Sequence, residues 1–342
     1  MASAQNDFSK GSVVGNIMGM AIPMTAAQLI NLLYNVVDRI YIGYIPEHAT
    51  LSLTGLGVCL PVITAVMAFA NLFGMGGAPL CSIERGRGNQ KEAEAIMGNA
   101  FTLMVICGIL LTILGIVFRR PLLYLFGASD STYPYAESYM TIYLLGSVFV
   151  MMGLGMNAFI NSQGFGRIGM QTVLLGAVAN IILDPVFIFG FRMDVRGAAL
   201  ATIISQFVSA ILCIIRLSRS PEDYRVHIRK IRFDLFFLRQ IIQNGLPSGF
   251  QNSIISIANV VVQANINSFG KMAMAGCGAY GKIEGFALMP SGSFTMALST
   301  FVSQNIGARK LERAKKGAGT GLLLSMGIVQ LTGIMIYFCA PY

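Results

Sequence analysis

The sequence predicts an all-α polytopic membrane protein built from two parallel-repeat helical bundles, six spans in the first and about three of an incomplete second set. Composition is the first ground. Of 342 residues, 55% are hydrophobic and only 11% charged, with a mean hydropathy of +0.67, a balance that belongs to a membrane protein rather than a soluble domain. The second ground is the recurrence of apolar runs about 20 residues long or longer, enough to cross the hydrocarbon layer. The third is an internal repeat.

The runs place spans at 14–42, 52–78, 95–118, 136–160, 168–190, 195–217, 241–267, 275–302 and 318–340. The first follows a polar tail and carries Gln28, Asn31, Asn35 and Asp38 at spacings that put them on one helical face. The second and third flank the turn Glu84-Arg85-Gly86-Arg87-Gly88, and the third stops at Arg119-Arg120. The fourth closes on Asn161-Ser162-Gln163-Gly164. The fifth holds Asn180 and Asp184 one turn apart, followed by Pro185, which removes a backbone hydrogen bond and predicts a kink. The sixth opens on Gly197-Ala198-Ala199-Leu200-Ala201-Thr202. The seventh carries a second polar stripe, Asn252, Ser256, Asn259, Gln263 and Asn267, the eighth holds Lys282 and Glu284, and the ninth follows a basic turn, Arg309 to Lys316.

Basic residues orient the spans. Of the 24 Lys and Arg, 17 fall in the N-terminal tail and every second loop. Such residues mark the cytoplasmic side, so the N-terminus is expected inside. The net charge of +9 therefore reflects topology and contact with an anionic lipid bilayer, not nucleic-acid binding. A cysteine placed at Glu47 should react with an impermeant reagent from outside, whereas one at Glu92 or Glu222 should not. Labelling in the opposite sense would overturn the charge-bias argument. The six cysteines are scattered without a CxxC pair and both histidines lie in loops, which argues against a disulfide framework or a His/Cys metal site. No cleavable signal peptide is visible.

The repeat aligns Ile22-Pro23 with Leu246-Pro247 at an offset of 224, placing Asn35 over Asn259 and Val36-Val37 over Val260-Val261. Gly88 to Lys91 falls on Gly307 to Lys310 at an offset of 219. Six spans separate the copies, an even number, so both enter the membrane the same way round, as in parallel repeats. The domains expected are a first lobe at 1–217, a basic cytoplasmic linker at 218–240 and a partial second lobe at 241–342. A full second copy would need roughly 100 more residues for about three helices, so the chain is expected to be C-terminally incomplete or an unusually short relative.

Two carboxylates within apolar spans need a partner or a task, because a charge at the bilayer centre costs roughly 2.5–3.5 kcal/mol even on the gentler insertion scales. The task inferred for Asp38 and Asp184 is to bind H⁺ or Na⁺ and drive transport. Val262 replaces the acid in the second stripe, which puts coupling in the first lobe and leaves neutral Asn259 and Gln263, with Lys282 and Glu284, for the second-lobe cleft. No ATPase motif appears; the glycine-rich turns lack the GxxxxGK[ST] pattern. Pumping then draws on an ion gradient, without a cofactor.

Leu33-Tyr34-Asn35-Val36-Val37-Asp38, the Glu84–Gly88 turn with Lys91, Asn161–Gly164, Asn180–Pro185, Gly197–Thr202, Lys282-Ile283-Glu284-Gly285-Phe286 and Ser303–Ala308 occur in order. Together they resemble the multidrug and toxic compound extrusion (MATE) family of cation-coupled efflux transporters, in its prokaryotic branch. The resemblance implies two six-helix bundles facing a central cleft and rocking between inward- and outward-open states, in the plasma (inner) membrane, exporting small organic molecules, expected as a monomer. Carried over motif by motif, it implies a coupling-ion site at Asp38, Asn180, Asp184 and Thr202, with Asn35, Tyr139 and Asn157 as supporting polar groups. Arg39, directly after Asp38, departs from the pattern. Set about 100° round the helix it should point elsewhere, but its charge opposes a bound cation and favours H⁺ over Na⁺. Two rivals are weaker. A flippase of a lipid-linked saccharide would want several cations within the spans to hold a pyrophosphate, and only Arg39 and Lys282 lie there. A membrane-embedded enzyme would want a His, Cys or Ser constellation at membrane depth.

Overall fold

A computed structural model of the chain describes residues 7–45, 49–219, 225–226 and 233–339. Residues 220–224 and 227–232 of the 218–240 linker (Glu222 and His227 among them), with Glu47 and His48, therefore lie outside the described residues, as do the side chains of Lys282, Asn252, Ser256 and Asn267. The described residues form helices α1 (Val13–Gly43), α2 (Ala49–Arg87), α3 (Gln90–Val117), α4 (Arg119–Leu125), α5 (Tyr133–Leu145), α6 (Ser147–Ser162), α7 (Gly166–Pro185), α8 (Asp194–Ser218), α9 (Leu235–Ser268), α10 (Lys271–Gly307) and α11 (Leu311–Cys339). A π-turn, Val186–Gly190, extends α7.

Each of the nine apolar runs lies on helix. Six single helices are long and apolar enough to cross a membrane, and the α5–α6 pair makes a seventh if counted as one span. α9 and α10 are long enough, at 34 and 37 residues, but their polar and glycine residues dilute the hydropathy. Helices overrun the predicted spans where charged residues continue the hydrogen-bonded turn beyond the apolar run. α2 runs to Arg87, nine residues past the apolar limit at 78.

The fourth span is not one helix. It breaks at Gly146, where α5 and α6 meet at 55°. A side chain at Gly146 would run into Ile203 of α8, so a glycine is required at this close approach. The break would orphan backbone carbonyls in hydrocarbon. Thr112 Oγ1 of α3 donates to the Leu144 carbonyl (2.6 Å) and Ser147 Oγ donates to the Gly108 carbonyl (3.1 Å).

The helices pack in a reciprocal pattern. α1 lies against α10 and α11, while α9 lies against α2 and α3, and α2 meets α10 directly. The α2–α10 and α2–α9 contacts are close because glycines line them. A Cβ on Gly86 would strike the Gln304 carbonyl, one on Gly307 the Ile83 carbonyl, and one on Gly76 the Ile241 carbonyl. The main core runs through α2, α3, α5, α6 and α8, with Phe159, Met97, Met104 and Met140 essentially inaccessible. A smaller core joins Phe8, Ile17 and Met20 to Phe294, Ala297 and Phe301. Leu110, Ile113 and Leu114 of α3 and Leu322, Leu323 and Met326 of α11 are exposed apolar side chains, the surface a bilayer would cover.

Candidate cation site and internal cavities

α1 and α7 pack along their length and bring their carboxylates together. Asp38 is 7% exposed and Asp184 fully buried, and the two carboxyl groups are near enough to interact directly. Asn180 Nδ2 donates to Asp184 Oδ1 across one turn (3.3 Å). Three acceptor oxygens remain without a hydrogen-bond partner among the described residues: Asp38 Oδ1, Asn180 Oδ1 and Asp184 Oδ2. Unsatisfied buried acceptors are costly and point to a ligand that satisfies them. All three are oxygens, the ligand type that a hard cation prefers, and the two on Asp38 and Asp184 belong to carboxyl groups that can take up a proton.

Pro185 lacks an N–H, and the helix widens there into the π-turn. The predicted kink thus takes the form of a register change directly after Asp184, a feature common at functional sites.

A cavity of about 60 Å³ adjoins Asp38. Its walls include Tyr34, Asn35, Asp38 and Arg39 of α1, Tyr139 and Tyr143 of α5, and Thr202 and Gln206 of α8. Tyr139 and Tyr143 stack with ring centroids 6.1 Å apart. Gln206 Nε2 donates to Tyr34 Oη (3.4 Å), and the exposed Asn35 spends one Nδ2 proton on the Asn31 carbonyl (2.6 Å). Six of the seven first-lobe candidates thus share this neighbourhood: Asp38, Thr202, Asn35 and Tyr139 line the cavity, and Asp184 with Asn180 adjoins Asp38.

Asn157 does not line the cavity. It bridges α6 and α7, donating to the Gly169 carbonyl (3.0 Å) and Thr172 Oγ1 (2.8 Å) and accepting from Asn161 Nδ2 (2.9 Å). Nor does the structure bring the second-lobe candidates to the acids. Asn259, Gln263 and Glu284 are exposed and none borders this cavity. Arg39 differs from expectation. It is among the residues that line the cavity beside Asp38. Tyr143 and Gln206 were not singled out from the sequence, and Tyr34 entered only as part of the Leu33–Asp38 motif. Thr202, Ser205, Gln206 and Ser209 form a polar stripe at helical spacing that would have flagged Gln206.

A larger cavity, about 280 Å³, lies between α1, α2, α6, α9 and α10. Met24, Met75 and Met296 soften its wall, Asn161, Asn244 and Ser248 supply neutral polar groups, and among the described residues no charged side chain lines it. Thioethers adapt to varied shapes.

The MatE family's sequence profile matches residues 23–186 and 247–342. The multidrug export protein MepA of Staphylococcus haemolyticus is 26% identical over 271 residues, 79% of this chain and 60% of that protein. The chain thus spans about three fifths of the length of that relative. An FAD transporter of Shewanella oneidensis is 28% identical over 331 residues, 94% of this chain and 70% of its own. Among solved structures, MATE in the straight conformation superposes with a TM-score of 0.91 at 22% identity, over 100% of this chain and 76% of that one. A MOP-superfamily transporter from Pyrococcus furiosus gives 0.90 at 22%, over 100% and 75%. With the profile covering most of the chain and the helices following the same path, this protein belongs to the MatE family.

Proposed function

We propose that the protein is a secondary-active antiporter that exports organic cations and related drugs by alternating access, coupled to H⁺ or Na⁺ at Asp38, Asn180, Asp184 and Thr202. The observation that carries this is the group of three unsatisfied buried oxygens on Asp38, Asn180 and Asp184. Two neighbouring buried carboxyls favour holding one proton between them. The same oxygens with the Thr202 hydroxyl would suit Na⁺. Arg39 beside Asp38 favours the proton, since a positive charge opposes a bound metal ion.

In this reading residues 1–217 and 241–342 belong to two lobes, joined by the cytoplasmic 218–240 linker, and the reciprocal packing of α1 on α10 and α9 on α2 supports the division. The uncharged, methionine-walled cavity between them is suited to apolar and flat organic substrates. The protein sits in the bacterial inner membrane as a monomer with its N-terminus cytoplasmic, uses no cofactor beyond the coupling ion and catalyses no covalent reaction.

The test is substrate efflux from membrane vesicles under an imposed pH gradient without Na⁺, repeated with Na⁺ alone. The pH gradient is expected to suffice. Thr202→Ala should weaken Na⁺ binding far more than H⁺ coupling, because a hydroxyl can ligate a metal but does not titrate near neutral pH. Transport driven by Na⁺ alone and indifferent to the pH gradient would show the preference for protons to be wrong. The absence of transport under either gradient would remove the antiport reading.

A further inference from the structure

The polar N-terminal tail carries one aromatic residue, Phe8, and that side chain is fully buried. It enters the small core with Ile17 and Met20 of α1 and Phe294 and Phe301 of α10, meeting Phe301 edge-on at 5.9 Å between centroids. Three successive carbonyls of the tail are gripped from the other side. Asn305 Nδ2 and Arg313 Nε donate to Phe8 O (3.2 and 2.9 Å), Lys310 Nζ to Ser9 O (2.9 Å) and Arg313 Nη2 to Lys10 O (2.6 Å). Arg313 also lies over the Phe301 ring, 5.5 Å from its centroid. Hydrogen bonds from charged donors are the stronger kind.

The tail is equally fixed to α1. Asn16 Nδ2 donates to the Asp7 and Lys10 carbonyls (3.2 and 2.8 Å), and Ser12 caps the helix through the Gly15 N–H. Ser9 donates both its N–H and its hydroxyl to Asp7 Oδ1 (2.9 and 2.7 Å), which holds that carboxyl below its ordinary range. The segment therefore moves with α1 while holding the α10–α11 turn, at the end of the bundle where Gly86 meets Gly307.

We infer that Asp7–Lys10 is a latch, which fastens the start of α1 to the α10–α11 turn and must release before the two halves can part at this end. The inference rests on the alternating-access reading. Main-chain carbonyls supply most of the grip, so the latch depends on Phe8 and on the donors Asn305, Lys310 and Arg313, and tolerates change at Ser9 and Lys10.

The test is the distance distribution between spin labels on cysteines placed at Gln90 and Glu312, measured by double electron–electron resonance in the full-length protein with its reactive native thiols replaced. The native tail should hold the short distance. Phe8→Ala and Arg313→Ala should each raise the ratio of long to short distances about ten-fold, Phe8→Leu should behave like wild type, and Lys310→Ala should give a smaller shift in the same direction. Unchanged distributions in Phe8→Ala and Arg313→Ala, with unfolding temperatures near wild type, would overturn the latch. If Phe8→Ala fails to fold, Lys310→Ala decides, since its exposed side chain makes a single contact here. The readout needs no ion gradient, so a failed latch leaves vesicle efflux intact and failed efflux leaves the distance shift intact.

Discussion

Asp38→Asn and Asp184→Asn are each expected to reduce gradient-driven efflux from vesicles to background while leaving the yield of folded protein near wild type. Both acids are buried and face each other from different helices. The substitution keeps the size and one oxygen of the side chain but removes the group that binds and releases a proton. Folding should survive because neutralising a buried charge relieves its desolvation cost, and the new amide can still hydrogen-bond within the site. Loss at either position distinguishes a coupled pair from one working acid with a structural neighbour. Wild-type-like efflux in both variants would remove the coupling assignment. Asn157→Ala is the informative contrast, because that side chain joins α6 to α7 without touching the carboxylates.

The second large effect is expected at the glycine contacts between α2 and α10. Gly86→Val and Gly307→Val should each destabilise the protein by about 1–3 kcal/mol or more, the usual cost of overpacking, read as a fall in unfolding temperature in detergent. The reason is geometric. A Cβ at Gly86 has the Gln304 carbonyl and the Ala308 amide nitrogen (2.8 Å) in its way, and one at Gly307 meets the Ile83 carbonyl and carbon (2.9 Å to the carbon). These obstacles are backbone, which cannot swing aside as a rotamer can. Gly57 lies on the same helix with nothing within 4 Å of a built Cβ, and Gly57→Ala should cost nothing. Equal stability of Gly86→Val and Gly57→Ala would show that the helices separate easily at this point.

Much of the helical framework was legible because hydropathy responds to what a bilayer demands of a segment, a continuous apolar run with its backbone satisfied internally. What hydropathy does not report is helix beyond the hydrocarbon, so the overrun of α2 to Arg87 and the short α4 were invisible. The break at Gly146 was hidden for a different cause. Its signal is a collision with Ile203, 57 residues away in sequence, and the compensating donor Thr112 looks like an ordinary small polar residue. At the candidate site, helical spacing correctly grouped Asn180 with Asp184, but it could not say that α1 and α7 are neighbours; that came from the family motifs. Spacing alone also did not place Arg39 at the cavity that Asp38 lines. Asn157 satisfied the motif yet sits between α6 and α7, a choice decided by the partners Gly169 and Thr172.

Where backbones touch through glycine, there are no side chains to interlock. Separating Gly86 from Gln304, or Gly307 from Ile83, requires no rotamer to rearrange and no knob to be drawn from a hole. Side-chain conformational entropy therefore changes little at these points, unlike the parting of leucine-filled surfaces, which frees rotamers that must be frozen again on return. The contact is short-ranged and weak per atom, so its strength falls off steeply within a small displacement. Such a junction behaves like a clasp of fixed geometry, firm when closed and nearly costless to re-form, and its closing speed is set by the motion of whole helices rather than by repacking.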